Sequence, residues 1–151
     1  MFWSEDLINW RTKTVFDLPD WAFFNTSVCK GHDGYIMAVE INKPAEYTGK
    51  AFTILFAKSK DLFNWEFLSP MEHSYSRDRY TACPTIRFFN GQYYMIYLEA
   101  MPLHRYMPYI VRSKDLEHFE LGMLNPFMTP DNTDKLVITP DCFTKDELEY
   151  I

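Results

Sequence analysis

A short motif that occurs three times at a nearly constant interval is the feature that most constrains the fold. The sequence reads SEDLINW from Ser4, SKDLFNW from Ser59 and SKDLEHF from Ser113, at intervals of 55 and 54 residues. A period of about 50 residues is typical of repeated supersecondary units, including the blades of β-propellers. The motif therefore predicts that one structural unit is repeated along the chain.

Each interval contains the same order of four apolar runs, and four antiparallel strands form one blade of a propeller. The dipeptides Asp33-Gly34 and Asn90-Gly91 lie between the first two runs of their repeats and favour tight hairpins. We therefore predict strands in two groups, at residues 22–30, 34–41, 51–58 and 64–69, and at residues 80–89, 92–100, 106–112 and 117–122.

The predicted strands are almost continuous in Ile, Val, Phe, Tyr and Met, as expected for sheets that are covered on both faces. Stacked blades provide such cover, so the sequence predicts an all-β fold of four-stranded antiparallel blades in a partial propeller ring. The predicted segments are an outer strand of an incomplete blade (1–20), two complete blades (21–70 and 71–122), and a Pro-rich connection with the start of a helix (123–151).

Composition excludes several classes of protein. Hydrophobic residues make up 47% and aromatic residues 18% of the chain, which is too apolar for a disordered protein. A net charge of −6 with mixed signs disfavours nucleic-acid binding, which needs a basic face. The sequence has neither an apolar run of membrane-spanning length nor a signal peptide, so we expect a cytoplasmic protein without a membrane partner.

The three cysteines, Cys29, Cys83 and Cys142, lack the spacing of metal-binding motifs. Cys29 and Cys83 lie within predicted strands, where we expect buried, reduced thiols. The sequence therefore predicts no metal and no other cofactor.

Four stretches of the sequence resemble a known family: FNTSVCKGHDGYIMAVE, FAKSKDLFNWEFL, DRYTACPTIRFFNGQYYMIYLE and IVRSKDL. They are similar to the five-bladed β-propeller glycoside hydrolases, specifically glycoside hydrolase family 43, over about residues 4–121. The resemblance implies a partial ring of a five-bladed propeller, a carbohydrate substrate, and hydrolysis of a glycosidic bond by two carboxyl groups.

The inner strands depart from the pattern of that family, which carries Asp-Pro in one blade and Glu, one further residue and Pro in another. Asn25-Thr26 and Ala82-Cys83-Pro84 stand at these places, so neither expected carboxylate is present. Three alternatives follow. The catalytic acids come from other blades, or Glu40 and Glu99 have replaced them, or these blades only bind sugar.

The order of strands places the start of the first strand and the end of the second strand of each blade at one mouth. If Tyr35 corresponds to Tyr94, Glu40 and Glu99 occupy equivalent positions at that mouth. We expect both glutamates to be catalytic, with Glu99 as an acid whose pKa is raised by its aromatic surroundings. The expected substrate-binding residues beside them are Asn25, Asp78, Arg79, His104 and Arg105.

Structural roles are the alternative for both kinds of polar residue. Glu99 in an ion pair with Arg79 or Arg105 would stabilise the fold without taking part in a reaction. The Ser and Asp of the repeated motif, at the end opposite the mouth, are expected to bond turn amides. The aromatic residue that ends each motif, which is Trp10, Trp65 or Phe119, is expected to pack between blades.

These observations predict a carbohydrate-active β-propeller, which is a glycoside hydrolase or part of one. The alternatives are a non-catalytic module that binds sugar or a partner protein, and a truncated region with no function of its own. Uncovered blade faces also predict self-association, since such faces favour contact between copies. The aromatic residues expected at the centre of that interface are Trp3, Trp10, Phe119 and Phe127.

Overall fold

The computed structural model describes residues 1–49, 52–101 and 105–128, with Met101 and Arg105 described by their backbone only. Eleven strands and one short helix form within these ranges. They are β1 (Phe2–Trp3), β2 (Arg11–Thr12), β3 (Ala22–Gly31), β4 (Gly34–Lys43), α1 (Ala45–Thr48), β5 (Thr53–Ser59), β6 (Trp65–Phe67), β7 (Ser74–Tyr75), β8 (Thr81–Phe89), β9 (Gln92–Met101), β10 (Arg105–Ser113) and β11 (Phe119–Leu121).

The strands form three antiparallel sheets. An N-terminal hairpin pairs β1 with β2. The first sheet has the order β3-β4-β5-β6, with β7 added to β5, and the second sheet has the order β8-β9-β10-β11. The predicted all-β fold and its four-stranded antiparallel sheets are therefore confirmed. Sequence analysis missed α1 and β7, and it placed the ends of most strands within two residues of those observed.

The three serine motifs fold into the same turn. In each copy the serine Oγ accepts a hydrogen bond from the leucine N–H three residues later, at 2.8, 2.9 and 2.8 Å. The aspartate Oδ1 accepts the N–H of the residue three positions after it, at 2.7, 2.8 and 2.8 Å. Leu7, Leu62 and Leu116 all have positive φ, of 61°, 70° and 65°. The predicted turn hydrogen bonds are confirmed, and a left-handed leucine completes the turn.

The sheets have two distinct ends. At the turn end lie the serine turns and the hairpins that join β3 to β4 and β8 to β9. At the head end β3, β5, β8 and β10 begin, and β4 and β9 finish. Strand direction alternates within each sheet. Residues that are far apart in the sequence therefore come close together at the same end of the molecule.

The core lies between the two large sheets. One face of β4 and β5 contributes Ala38, Ile54 and Phe56, and the facing side of the second sheet contributes Tyr97 and Val111. All five side chains are at most 2% exposed. Burial of a large apolar side chain contributes about 1.5–3 kcal/mol to the stability of the fold. These residues therefore hold the two sheets face to face.

The opposite face of the first sheet is covered by aromatic residues from the N-terminal segment. Phe16 stacks on Phe67 at 4.5 Å between ring centroids, and Trp21 stacks on Phe67 at 5.3 Å. They cover a second buried cluster that includes Val39 and Leu55. The first sheet is therefore apolar on both faces, as the continuous runs in its sequence predict.

The three aromatic residues that end the motifs have different environments. Phe119 lies between the sheets, with its ring centroid 4.8 Å from that of Tyr75. Trp65 packs on the face of the first sheet that the N-terminal segment covers, and Trp10 is 56% exposed. Because Phe119 is already packed inside the fold, it is not placed to form the centre of an interface between copies.

Several predictions fall outside the described residues. These are the substrate-binding role of His104 and, beyond residue 128, the Pro-rich connection with the start of a helix. Among the described residues, no helix is long and apolar enough to cross a membrane.

Candidate functional site

The register of the two sheets corrects the predicted equivalence of the two glutamates. Tyr35 lies opposite Ser59 in the first sheet, and Tyr93 lies opposite Ser113 in the second. The two serines begin equivalent turns, so Tyr35 corresponds to Tyr93 and not to Tyr94. By the same register Glu40 corresponds to Leu98, and Glu99 corresponds to Ile41.

A shift of one residue along a strand moves a side chain to the other face of the sheet. Glu40 lies on the same face of β4 as Ala38, which points towards the second sheet. Glu99 lies on the same face of β9 as Tyr97, which points towards the first sheet. The two carboxylates therefore enter the space between the sheets from opposite walls, near the head end.

Both innermost strands carry an irregularity near the head end. The pairing of β3 with β4 shifts between Phe23 and Thr26, and the pairing of β8 with β9 shifts between Ala82 and Thr85. Phe24 and Asn25 are the unpaired residues of the first β-bulge, and Cys83 and Pro84 are those of the second. Counted from the hairpins, Asn25 corresponds to Cys83. Bulges redirect side chains and are common beside functional sites. Pro84 sits in the second bulge, where its missing N–H removes no hydrogen bond from the regular ladder.

Glu40 joins the two bulges. Its Oε2 accepts a hydrogen bond from the Cys83 N–H at 2.7 Å and another from the Asn25 side-chain amide at 3.0 Å. The same amide lies 3.4 Å from the Cys83 Sγ. Glu40 is only 3% exposed, and a buried carboxylate needs such donors because desolvation is costly. This carboxylate therefore links the innermost strands of the two sheets.

Cys83 has φ of 52°, a left-handed conformation that side chains with a Cβ rarely adopt. The residue is exposed, in contrast to the buried thiol that the sequence predicts, whereas Cys29 is buried as predicted. Although the residue is exposed overall, partial desolvation of its sulfur and the nearby charge of Glu40 raise the pKa of the Cys83 thiol. The thiol therefore stays protonated at neutral pH and is a poor nucleophile.

Glu99 belongs to a separate group of polar side chains. Its Oε1 lies 3.6 Å from Nη1 of Arg79, and its Oε2 accepts a hydrogen bond from the Tyr97 hydroxyl at 3.2 Å. The hydroxyls of Tyr75 and Tyr97 are 2.9 Å apart. Burial is the largest cause that raises the pKa of Tyr97, so this hydroxyl remains a donor. Glu99 thus forms an ion pair with Arg79, one of the two partners in the structural alternative, and has a side chain that is 12% exposed.

Asp78 and Arg79 stand at the solvent-facing edge of this group. Arg79 is 43% exposed, and its Nε donates to Oδ1 of Asp78 at 3.3 Å. The charge of Arg79 is the largest cause that lowers the pKa of Asp78. Asp78 is therefore ionised at neutral pH. The solvent-facing side of its carboxylate can accept hydrogen bonds from the hydroxyl groups of a ligand.

A row of four aromatic rings crosses the head end of both sheets. The centroids of Phe24 and Phe52 are 5.0 Å apart, those of Phe52 and Tyr80 are 5.1 Å apart, and those of Tyr80 and Tyr106 are 5.7 Å apart. The two ends of the row are the most accessible, with Phe24 46% and Tyr106 41% exposed. We call these four residues the aromatic row. The sequence pattern does not identify them, because they lie in or just before four different strands and only the fold brings them together.

The tyrosine hydroxyls of the row add hydrogen-bonding capacity. Burial, the neighbouring Tyr106 and the charge of Glu40 raise the pKa of Tyr80 to about 12. Its hydroxyl therefore keeps its proton across the physiological range. The head end thus combines exposed aromatic faces with the polar groups of Asn25, Asp78 and Arg79, which is the composition of a site for a neutral polar ligand.

Histidine and carboxylate groups also lie close together near the turn end. Glu72, His73 and Glu117 form one such group, and Asp115, Glu117 and His118 form another. The Nε2 atom of His73 lies 3.8 Å from a carboxylate oxygen of Glu117, while Asp115 accepts hydrogen bonds from the amides of its own turn. These contacts explain both clusters as interactions between neighbouring side chains and turn amides, so we assign no metal to them.

Comparison with known proteins gives the chain no family. No protein-family model matches its sequence, and no curated protein sequence matches it. Arguments about function therefore rest on the geometry of the head end.

The structure brings most of the predicted site residues to one end of the molecule. Glu40 and Asn25 meet at the bulges, and Glu99, Arg79 and Asp78 form the second group. Arg105 begins β10 at the same end, but its side chain and all of His104 lie outside the described residues. Asp61 and Asp115 lie at the turn end, as predicted.

Proposed function

We propose that the two large sheets are neighbouring blades of a β-propeller and that the head end binds carbohydrate without cleaving it. The observation that carries this proposal is the aromatic row beside two bulged inner strands. Both nearby carboxylates, Glu40 and Glu99, are already engaged by protein groups. Family 43 of the glycoside hydrolases remains the family that the sequence resembles.

Three observations support the blade arrangement. Each sheet follows the chain order of its strands from one edge to the other, and the two sheets pack face to face. Their innermost strands, β3 and β8, are in contact with one another, as the Asn25 and Cys83 side chains illustrate. The N-terminal hairpin repeats the serine turn, so it corresponds to the outer half of another blade.

Carbohydrate is favoured because its rings have apolar faces and hydroxyl edges. Exposed aromatic rings such as Phe24 and Tyr106 stack on the faces, and nearby polar side chains bond the hydroxyls. The hydroxyl of Tyr80 and the charged pair of Asp78 and Arg79 offer both donors and acceptors. Neutral sugars need no large charge in the site, which fits the mixed signs found here.

The contacts that the two glutamates make with protein groups favour binding without cleavage. A glycosidase needs one carboxyl group that is protonated and another that is ionised, on either side of the scissile bond. Glu40 is buried and accepts two hydrogen bonds that hold the backbone of both bulges. A proton on Glu40 would weaken these bonds, so its role is to hold the strands.

Glycoside hydrolysis is the second candidate function, and Glu99 is the observation that favours it. Its side chain is 12% exposed and is surrounded by tyrosines, as a general acid in a sugar site would be. Asp78, which shares Arg79 with Glu99, is the candidate for the second carboxyl group.

A glycan array probed with the full chain tests the proposed function. We expect binding to neutral sugars that is lost when Phe24 and Tyr106 are both changed to Ala and retained in Phe89→Ala. Phe89 is a suitable control, since it is 64% exposed but lies at the turn end. An array without a single bound sugar contradicts the proposal.

Chromatography of the sugars after incubation with the chain separates the two candidates. Intact sugars support binding alone. Cleavage that disappears in Glu99→Gln, while the melting temperature stays unchanged, would establish hydrolysis instead. A large fall in the melting temperature of Glu99→Gln would mark the ion pair with Arg79 as structural.

A further inference from the structure

We propose that Asn90 is a site of spontaneous deamidation, a covalent modification whose only co-reactant is water. Asn90-Gly91 forms the loop of the hairpin between β8 and β9, and the equivalent hairpin of the first sheet has Asp33-Gly34 in its loop. Both hairpins lie at the turn end, so the proposal does not depend on carbohydrate binding at the head end.

The side-chain amide of Asn90 is accessible and has no partner that holds it. The residue is exposed at the tip of its hairpin, and its amide has no hydrogen bond to another described residue. The amides of the other described asparagines are held or buried. Asn9 and Asn64 bond the aspartates of their own turns, Asn25 bonds Glu40, Asn125 bonds the Ile110 carbonyl, and Oδ1 of Asn42 is buried.

The residue after Asn90 supplies an unhindered nucleophile, and Asn-Gly occurs only once in the sequence. Gly91 lies between the paired residues Phe89 and Gln92, so its backbone nitrogen is not part of the ladder. Apart from its chain neighbours, no described atom lies within 4 Å of the position that a Cβ of Gly91 would occupy. Glycine also leaves the backbone free to rotate. The nitrogen of Gly91 can therefore reach Cγ of Asn90 when the loop changes its ψ angle.

The reaction has two steps that conserve all atoms and involve no oxidation or reduction. First, a bond forms between the Gly91 nitrogen and Cγ of Asn90, and the bond from Cγ to Nδ2 breaks. The amide nitrogen leaves as ammonia with the proton of the Gly91 N–H, and a five-membered succinimide ring remains. Second, water opens the ring at one of its two carbonyl groups. One opening gives aspartate, and the other gives isoaspartate, in which Gly91 is attached through the side chain.

The first hairpin provides the comparison within the same molecule. The position of a Cβ on Gly34 lies 2.5 Å from the backbone oxygen of Ser59, so this loop has much less room to change its backbone. A carboxylate such as that of Asp33 is also attacked less readily than an amide, because its negative charge repels the nucleophile. Since Asp-Gly already fits the first hairpin, the aspartate product should fit the second. Isoaspartate adds one methylene to the backbone and should disturb the end of the ladder.

Incubation of the full chain in mildly alkaline buffer, followed by digestion with trypsin and mass spectrometry, tests the proposal. The peptide 88–105 has Asn90 as its only asparagine, and its mass should rise by about 1 Da as an amide becomes a carboxyl group. The modified peptide should separate into an aspartate and an isoaspartate form. The peptide 31–50, with Asp33-Gly34 and Asn42, should stay unchanged. An unmodified peptide 88–105, or modification of Asn42 at the same rate, overturns the proposal.

Two variants test the route of the reaction and its consequence. Asn90→Gln lengthens the side chain so that the five-membered ring cannot form, and the gain in mass should disappear. A gain at the unmodified rate in this variant would show direct hydrolysis and would overturn the role of the Gly91 nitrogen. Asn90→Asp should melt at the temperature of the unmodified chain, and the isoaspartate form should melt lower. Equal melting of Asn90→Asp and the isoaspartate form would overturn the effect assigned to the added methylene.

Discussion

The two ends of the molecule differ in how closely their repeats agree. At the turn end, three copies of the serine turn have the same hydrogen bonds to within 0.1 Å and the same left-handed leucine. At the head end, equivalent positions hold Asn25 and Cys83, Glu40 and Leu98, or Ile41 and Glu99. The turn end has the same backbone geometry in every repeat, whereas equivalent positions at the head end hold residues with different roles.

The difference shows which repeated features describe the scaffold. Turn residues bond their own backbone, so the same residues serve in every copy. Contacts at the head end join one sheet to the other, so the residues on the two sides of the junction differ. Departures from the repeat therefore mark residues such as Glu40 that join the sheets, and the following variants test this.

Removal of the Glu40 carboxylate should have the largest effect. Glu40→Ala leaves the Cys83 N–H and the Asn25 amide without their acceptor, and we expect a loss of about 3 kcal/mol in the free energy of unfolding. Urea denaturation measures it. Glu40→Gln keeps one acceptor oxygen and should lose less. An alanine variant as stable as the unmodified chain would show that the bulges hold without this bridge.

Loss of a serine hydroxyl at the turn end should have a smaller effect that depends on burial. Ser59→Ala removes the acceptor for the Leu62 N–H, and we expect a loss of about 1–2 kcal/mol. Ser4→Ala removes the same bond in the more exposed N-terminal copy and should lose less than half as much. Equal losses from the two variants would contradict a role for burial.

The two bulges should respond in opposite ways to glycine. Glycine adopts positive φ without strain, so Cys83→Gly should be more stable than Cys83→Ala by about 1 kcal/mol. Asn25 is not among the residues with positive φ, so Asn25→Gly should be less stable than Asn25→Ala. Thermal melts of the four variants measure both differences. The same order at both positions would show that the bulges have the same backbone.

Acid should weaken the turn end through Asp61. Hydrogen bonds from Asn64, followed by the Phe63 N–H, lower the pKa of Asp61 from 3.8 to about 2. A lowered folded-state pKa stabilises the fold above pH 3.8, and this contribution disappears as the pH falls through 2. The melting temperature of the unmodified chain should therefore fall more between pH 4 and pH 2 than that of Asp61→Asn. Parallel curves would exclude Asp61 as a source of acid sensitivity.

Much of the fold could be predicted because local signals repeat. The serine motif, the hairpin dipeptides and the apolar runs each indicate the same strands, and the structure has all eight of them. The four-residue helix α1 and the two-residue strand β7 lack such signals. The helix α1 forms because the Arg77 guanidinium donates hydrogen bonds to the backbone carbonyls of Glu46 and Tyr47. The strand β7 forms because Tyr75 pairs with Ile54 of β5.

The candidate site could be predicted only in part. The correct end of the sheets follows from strand direction. The sequence offers an ion pair of Glu99 with Arg79 or Arg105 only as an alternative to catalysis, and the structure shows the pair with Arg79. The adjacent residues Tyr93 and Tyr94 both match Tyr35, and only backbone pairing decides between them. Pro84 within a predicted strand was a usable signal for the second bulge. The aromatic row has no counterpart in the sequence pattern, because two of its members lie in β3 and β10 and the other two lie just before β5 and β8.

The distribution of tryptophans also gives the first part of the chain its own optical signal. All four tryptophans, at positions 3, 10, 21 and 65, precede the second sheet in the chain. Tryptophan emission therefore follows the first sheet and the N-terminal hairpin, while the far-ultraviolet circular dichroism of the strands follows both sheets. Coincident melts at the two wavelengths would show that the sheets unfold as one cooperative unit. Separate melts in Glu40→Ala alone would identify this carboxylate as the group that makes them cooperative.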